Sequence, residues 1–170
     1  MEKRILVTYD SKHGATAEIA EKIDAVLKDK GLRTKLVSLD TPVDPAPFES
    51  VVLGTAVYIG QWRKNAVKFL KEYQAALAAK KCWIFATGPT GEGDAKELMA
   101  GWEYPPKMKN TLEAIAPEEL MIFHGAIDME KLNKLEQMTI KMVKAETGDF
   151  RDWKAIEAWA LKIAGQLGPN

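Results

Sequence analysis

The sequence predicts an α/β protein in which five parallel strands form a doubly wound sheet of order 2-1-3-4-5 between two layers of helices. Short apolar runs alternate with amphipathic segments along the 170 residues, which is typical of parallel strands joined by helical crossovers. A turn rich in hydroxyl groups follows the first run, at the position where such sheets bind ligands. The length and the 46% hydrophobic content suffice for one core, so we expect a single domain over residues 1–170.

The strands are predicted from short runs of β-branched, aromatic and other apolar residues. Such a run suits an interior strand that is buried on both faces, and residues 5–7 are the first example. The second strand alternates in polarity, which indicates a half-buried position at an edge of the sheet. The five strands are expected at residues 5–7, 34–39, 50–55, 81–87 and 120–125.

Helices are predicted where apolar residues recur at helical spacing, and we expect these residues to face the sheet. The first helix is expected to stop at Lys30 and Gly31. The apolar positions are Ile19, Ile23, Val26 and Leu27 in the first helix; Val67, Leu70, Tyr73 and Leu77 in the second; residues 111–115 in a short third; Leu132, Leu135, Met138, Met142 and Val143 in the fourth crossover helix; and Trp153, Ile156, Trp159, Ala160, Ile163 and Leu167 in the last.

Charge and cysteine content argue against several classes of function. Twenty-four Lys plus Arg balance twenty-four Asp plus Glu, so no net field attracts nucleic acid and we expect no nucleic-acid partner. The single cysteine, Cys82, lies within a predicted buried strand, which indicates an inert core thiol and a reducing, cytoplasmic location. We find no signal-peptide pattern, and no apolar run approaches the ~18 residues that a membrane span requires.

The turn after the first strand has the composition of a phosphate site. The first N–H groups of the following helix lack partners within it, and the helix dipole favours an anion there. The sequence contains neither a Walker-type phosphate loop nor the three glycines of a dinucleotide fingerprint, which leaves a phosphate monoester as the ligand. Alternatively, Ser11 is an ordinary turn residue and Thr16 an ordinary helix cap. The phosphate-binding candidates are Ser11, Lys12, His13, Gly14, Ala15 and Thr16.

Two further loops leave the third and fourth strands at the same edge of the sheet, and their composition suits a planar aromatic ligand. Tyr58 or Trp62 could stack on a ring face, while Gly60 allows close backbone approach; alternatively, both aromatic side chains pack in the core. The glycines of the other loop leave amides free to meet ring carbonyls, or form a plain connection. The candidates are Ala56, Val57, Tyr58, Ile59, Gly60 and Trp62 in the first loop and Thr87, Gly88, Pro89, Thr90, Gly91 and Asp94 in the second.

The turn resembles the phosphate loop of flavodoxin-like FMN proteins, Ser/Thr-x-Thr-Gly-x-Thr. Ser11, Gly14 and Thr16 stand in matching places, and His13 replaces the usual threonine. More specifically, the chain resembles the flavodoxin-domain group that includes the menaquinone-dependent protoporphyrinogen oxidases. Those oxidases carry a long basic insertion where this chain has compact loops, which favours a generic FMN electron carrier or an unassigned oxidoreductase. The segments that carry the closer resemblance are residues 54–62, 123–128 and 148–153.

The resemblance implies a non-covalently bound FMN that exchanges electrons with a redox partner protein or with a small-molecule acceptor such as a quinone. The flavin carries the redox chemistry, and the protein sets the charge near ring atoms N1 and N5. We expect a carbonyl within residues 56–60 to accept a hydrogen bond from reduced N5–H, and Glu92 or Asp94 to disfavour negative charge on the ring. The alternatives are a protoporphyrinogen oxidase-type enzyme and an interaction module without a cofactor.

The histidines and a group of lysines are the remaining candidates. No cysteine or carboxylate stands at zinc-ligand spacing around either histidine, so we expect no metal site. His124 is predicted to be a core residue, and His13 either to contact the phosphate or to face solvent. The lysines could contact an anionic lipid surface or the carboxylates of a tetrapyrrole, although a solvated face with Glu130 and Glu136 nearby is the simpler interpretation. These lysines are Lys131, Lys134, Lys141 and Lys144.

Overall fold

A parallel sheet forms the centre of the protein in the computed structural model, which describes residues 4–168. The strands are β1 (Arg4–Asp10), β2 (Arg33–Ser38), β3 (Ser50–Tyr58), β4 (Gln61–Trp62), β5 (Lys81–Thr87), β6 (Glu119–Phe123), β7 (Ala126–Ile127) and β8 (Gly148–Asp149). Five of them pair in parallel in the order β2-β1-β3-β5-β6, which confirms the predicted sheet and places β2 at an edge. The strand order reverses between β1 and β3, so the connections that leave these two strands turn to opposite faces of the sheet and leave a crevice between them.

Helices cover both faces of this sheet. The α-helices of the structure are α1 (Ala15–Asp29), α2 (Lys64–Glu72), α3 (Gln74–Ala78), α4 (Ala95–Leu98), α5 (Lys109–Ile115), α6 (Lys134–Met142) and α7 (Trp153–Leu167). Helices α1 and α7 pack on one face, and α2, α3 and α5 contribute to the core on the other. Alternate residues of β1 show the division, because Ile5 and Val7 join the first core and Leu6 joins the second.

An aromatic cluster lies between the sheet and α7. The rings of Phe85, Phe123 and Trp159 lie 5.5–5.9 Å apart, with the two phenylalanines edge-on to the indole. Gly54 is the partner of Phe85 in the β3–β5 register, and the Phe85 ring occupies the space where a side chain at residue 54 would lie. A glycine at this strand position is therefore required by packing.

Several element predictions need correction. The predicted second helix is broken at Tyr73 into α2 and α3. Strand β3 runs on to Tyr58 and pairs in antiparallel fashion with β4, so the predicted loop at 55–62 is a hairpin. Helix α6 is not a crossover, because it lies between the last sheet strand and α7, outside the sheet. Its predicted core residues are exposed: Leu135 is 73% exposed, Met138 60%, Met142 80% and Val143 62%.

Cys82 lies in β5 and is buried, as predicted. Burial raises the pKa of its thiol to about 12, because the thiolate is disfavoured away from water. The thiol is therefore chemically inert in the folded protein. Within residues 4–168 no helix combines the length and the apolar character needed to cross a lipid bilayer.

Candidate functional site

A cavity of about 570 Å³ opens at the carboxyl ends of the sheet strands. Its wall contains the turn after β1, the β3–β4 hairpin, the loop after β5 and the segment that follows β6. This is the edge predicted from the strand order, since the first three of these segments leave adjacent parallel strands. The volume lies within the range of about 300–1,000 Å³ that is usual for pockets of small molecules and cofactors.

The turn after β1 is closed by Ser11 and opens directly into α1. The backbone N–H of Gly14 donates to Ser11 Oγ over 3.1 Å. Gly14 has φ +94°, in the left-handed region that favours glycine, and it takes the N-cap position of α1. Thr16 is therefore not the cap. Its buried hydroxyl instead hydrogen-bonds the hydroxyl of Thr87 over 2.7 Å, which joins the turn to the end of β5.

Glu136 of α6 reaches the same turn and holds its two basic side chains. Its Oε2 atom lies 2.8 Å from His13 Nε2 and 3.1 Å from Lys12 Nζ. The hydrogen bond with His13 is the largest influence on the pKa of Glu136. Together with the bonds from Lys12 and the Asn133 backbone, it keeps that pKa below its ordinary value against the opposing effect of burial. His13 thus contacts a carboxylate, which neither interpretation of the sequence included.

Tyr58 stands at the tip of the β3–β4 hairpin, beside the turn. Lys12 Nζ lies 4.9 Å from the centre of the Tyr58 ring, at the distance of a cation–π contact. The hairpin turns at Ile59 and Gly60, which both have positive φ, at 48° and 67°. This is the pattern of a type I′ turn, in which asparagine usually stands at the first position. Ile59 is strained there and 68% exposed on the cavity wall.

Asp10 fixes the start of α2 next to the cavity. Its carboxylate is 1% exposed and accepts hydrogen bonds from the backbone N–H groups of Asn65 and Ala66, over 2.9 and 3.2 Å. The same carboxylate accepts from Arg63 Nε over 3.2 Å. Arg63 lines the cavity and is also held through its backbone N–H, which donates to Thr55 Oγ1. The arrangement places a fixed guanidinium on the cavity wall.

The loop after β5 packs against the segment after β6. The N–H of Gly125 donates to the carbonyl of Pro89 over 2.9 Å, and a Cβ at Gly125 would lie 3.3 Å from the carbonyl oxygen of Gly88. A Cβ at Gly88 would in turn lie 3.2 Å from Val57 Cβ. The two glycines allow these chain segments to approach each other closely. His124 is not a core residue, because it lies half-buried beyond β6 with Nε2 2.7 Å from the carbonyl oxygen of Gly93.

Most of the residues predicted for the site line this cavity. They are Ser11, Lys12, His13, Ala15, Thr16, Ala56, Val57, Tyr58, Ile59, Gly60, Thr87, Gly88, Pro89 and Thr90.

Four predicted residues have other surroundings. Gly14 shapes the turn from within, and Gly91 is buried beside Glu146, whose carboxylate lies 3.1 Å from where a Cβ would stand. Trp62 is 3% exposed and belongs to the core between the sheet and α2. Asp94 caps α4, accepting from the N–H groups of Lys96 and Glu97.

Sequence reasoning missed the wall that follows β6 and part of the wall after α4. Residues 125–128 carry part of the family resemblance, and the sequence predicts α6 as a crossover helix, so neither is assigned to the site from sequence. The missed lining residues are Arg63, Leu98, Met99, Trp102, Gly125, Ala126, Ile127, Asp128, Leu132, Thr139, Ile140, Val143 and Ala145. Gly125, which directly follows the predicted strand end, was the available signal for close backbone approach.

Comparison with known proteins points to one family. The family model described as Flavodoxin domain matches residues 6–154. Protoporphyrinogen IX dehydrogenase (quinone) of Escherichia coli (strain K12) is 18% identical over 172 residues, covering 95% of this chain and 94% of that protein.

Solved structures of low sequence identity share the fold. A flavodoxin from the domain Archaea has a TM-score of 0.62 at 13% identity, covering 96% of this chain and 98% of its own. The flavodoxin of Streptococcus pneumonia TIGR4 has a TM-score of 0.61 at 16% identity, covering 96% and 99%.

Proposed function

Since the chain belongs to the flavodoxin-domain family, we propose that it binds FMN non-covalently and acts as a flavodoxin-like redox protein. The observation that carries this proposal is the cavity of about 570 Å³, which joins the turn at the start of α1 to the ends of three sheet strands. We further propose that residues 1–170 form one such domain, and that its electrons pass to a partner protein or a small-molecule acceptor.

The turn after β1 suits the phosphate monoester of FMN. The N–H groups at the start of α1 and the helix dipole favour an anion at this position. Ser11 adds a hydroxyl, and Lys12 and Arg63 add positive charge to the cavity wall. No atom lies within 4 Å of a Cβ built on Gly14, so the backbone of the turn is open to close approach by a phosphate.

The remaining wall suits a planar aromatic ring. Tyr58 and Trp102 are half-buried aromatic side chains on the wall, and Val57, Leu98 and Met99 add apolar surface. The hairpin backbone at Tyr58 to Gly60 and the loop at Thr87 to Thr90 supply carbonyl and amide groups along the rim. Apolar walls with a few polar groups are the usual composition of a cofactor pocket.

When bound, FMN supplies the electron-transfer chemistry. The residues of this chain bind the phosphate, orient the ring against Tyr58 and set the charge around it. The charged side chains on the wall include Lys12, Arg63 and Asp128 but neither Glu92 nor Asp94. Lys12 is paired with Glu136 and Arg63 with Asp10, so carboxylates offset both positive charges.

A comparison of FMN with riboflavin tests the phosphate site. We expect the purified protein to be yellow or to quench the fluorescence of one added FMN per chain, and to bind riboflavin, which lacks the phosphate, about tenfold or more weakly. Ser11→Ala should raise the Kd of FMN about threefold to tenfold and leave the Kd of riboflavin unchanged. Ser38→Ala is the matched control, because Ser38 Oγ also accepts from a backbone N–H, that of Asp40, but outside the cavity.

Two results would contradict the proposal. A colourless protein that fails to quench FMN fluorescence would indicate an interaction module without a cofactor. Equal affinities for FMN and riboflavin would show that the turn after β1 does not hold a phosphate.

The full-length match to the Escherichia coli dehydrogenase favours a second candidate, quinone-dependent oxidation of protoporphyrinogen. FMN-loaded protein is mixed without oxygen with protoporphyrinogen and a water-soluble quinone, and the appearance of porphyrin fluorescence is followed. Porphyrin formation that needs both the protein and the quinone would support this enzyme. FMN binding without turnover would leave the electron carrier as the function.

A further inference from the structure

Helix α6 presents an apolar stripe to solvent. Leu135, Met138 and Met142 stand three and four residues apart, so they share one face of the helix. They are 73%, 60% and 80% exposed. Among the nine residues of α6 only Glu136 is buried, which reverses the usual arrangement of a surface helix. The α6 stripe therefore contributes nothing to the core.

The exposed charges within residues 131–145 are all positive, and the exposed acids Glu130 and Glu146 lie on either side of this segment. From residue 131 to residue 145 the sequence contains four lysines and one acid, Glu136. That acid points inward and is bound to Lys12 and His13, whereas the four lysines are exposed. Lys134 and Lys141 stand four residues before and three residues after Met138, so both lie beside the stripe, along one of its edges. An exposed apolar stripe with a lysine border matches the pattern of helices that lie in the surface of a membrane.

The α6 stripe lies beside the mouth of the cavity. The opposite side of α6 lines the cavity with Thr139 and Ile140, and Val143 follows at the end of the helix. Ile59 on the hairpin also lines the cavity, and its side chain is exposed. Its backbone has a positive φ, which is strained for a β-branched residue. Apolar surface is therefore concentrated on the side of the molecule where the cavity opens.

We propose that α6 docks this protein on the surface of an anionic lipid bilayer, with the α6 stripe in the headgroup region and the surrounding lysines against lipid phosphates and carboxylates. The charge complementarity of the lysines with anionic lipid distinguishes this partner from an uncharged apolar surface. Contact would be peripheral, and it would hold the cavity mouth close to the membrane. The proposal does not depend on which ligand the cavity binds.

Co-sedimentation with lipid vesicles tests the proposal. The purified protein is mixed with vesicles of phosphatidylcholine alone or with about 30% phosphatidylserine, and the bound fraction of protein is measured. We expect binding to the phosphatidylserine vesicles that weakens in high salt, and little binding to phosphatidylcholine. Lys134→Gln with Lys141→Gln should weaken binding about tenfold, and Met138→Ser with Met142→Ser by a similar factor.

Matched variants elsewhere control for charge and hydrophobicity. Lys68→Gln with Lys71→Gln removes two exposed charges from α2, and Leu161→Ser removes a side chain that is 40% exposed on α7. Both should bind vesicles within about twofold of the natural protein. Circular dichroism confirms that every variant is folded, which is expected because the substituted side chains are exposed.

The proposal is overturned if the protein binds neither kind of vesicle, or binds both equally and without salt dependence. It is also overturned if the α6 variants bind like the controls. Self-association that disappears in the methionine variant, without vesicle binding, would make the α6 stripe a protein interface instead. Because the measurement follows the protein and not flavin, these outcomes are independent of whether FMN binds.

Discussion

Glu136 connects two parts of the molecule that are more than 120 residues apart in the sequence. Its carboxylate contacts Lys12 and His13, and it also belongs to a capping box with Asn133 at the start of α6. Glutamine keeps the capping geometry but removes the charge. We therefore expect Glu136→Gln to lower the free energy of unfolding by about 1–2 kcal/mol at pH 7, measured by urea denaturation.

The pH dependence of this effect has a definite sign. Because the pKa of Glu136 is lowered in the folded protein, its stabilising effect is complete above the ordinary glutamate pKa of about 4.5 and disappears as the pH falls through the lower folded value. The difference between the natural protein and Glu136→Gln should therefore shrink between pH 5 and pH 3. Glu130→Gln, an exposed control in the preceding turn, should differ little from the natural protein at any pH. A constant difference down to pH 3 would contradict the ion pair.

The sequence predicted individual site residues where their neighbours along the chain define their role. Ser11 follows β1 and Tyr58 ends β3, so the strand pattern alone places both at the edge of the sheet where the cavity opens. Glu136 and Arg63 were missed because their importance comes from partners distant in sequence, Lys12 and Asp10. Trp62 remained ambiguous because an aromatic residue after a strand can face either the core or a ligand.

At the scale of elements, Gly54 on β3 leaves the space that the ring of Phe85 on β5 occupies in the aromatic cluster. A Cβ at this position would overlap the ring of Phe85. Gly54→Ala should therefore lower the free energy of unfolding by about 1–3 kcal/mol, measured by urea denaturation. Phe85→Leu should relieve part of the overlap, so the double variant should lose less stability than the sum of the two single variants.

A substitution at a second glycine, Gly165, tests whether the loss of stability in Gly54→Ala comes from packing. Gly165 lies on the exposed face of α7, and no atom outside its own helix lies within 4 Å of a Cβ at that position. Gly165→Ala should be neutral or should stabilise the protein by up to about 1 kcal/mol, since alanine is the better helix former. Equal destabilisation at residues 54 and 165 would contradict the packing role of Gly54.

Elements were predictable from the sequence where one local pattern determines their surroundings. Strand β5 was predicted with its observed bounds, because its continuous apolar run can only be buried on both faces. Helix α6 shows what periodicity leaves undetermined. The spacing of Leu135, Met138 and Met142 correctly indicated one shared face, but the pattern does not specify whether that face meets the sheet or solvent. The break at Tyr73 has no proline or glycine to mark it.

At the scale of the whole molecule, the structure divides into a well-packed sheet and a weakly anchored segment beside the cavity. Strand β5 is buried on both faces, and α7 buries a stripe of five residues against the sheet. Helix α6 buries only Glu136, so its attachment depends mainly on the contacts of that carboxylate with Lys12 and His13. Local stability follows buried apolar contact, and we expect α6 to open without the sheet unfolding.

Amide hydrogen exchange measures this difference directly. The amides of β5 and of the middle of α7 should exchange only on global unfolding, while those of α6 should exchange about 100-fold faster or more. Helix α7 is the matched control, because it has the same backbone hydrogen-bonding pattern as α6 but is packed against the sheet. Cys82 provides a second measure of how often the sheet opens. A buried thiol with a pKa of about 12 reacts with a disulfide reagent only when β5 opens. Equal protection of α6 and α7 would show that the cavity wall is as rigid as the core, and the segment between β6 and α7 would then be a fixed part of the site.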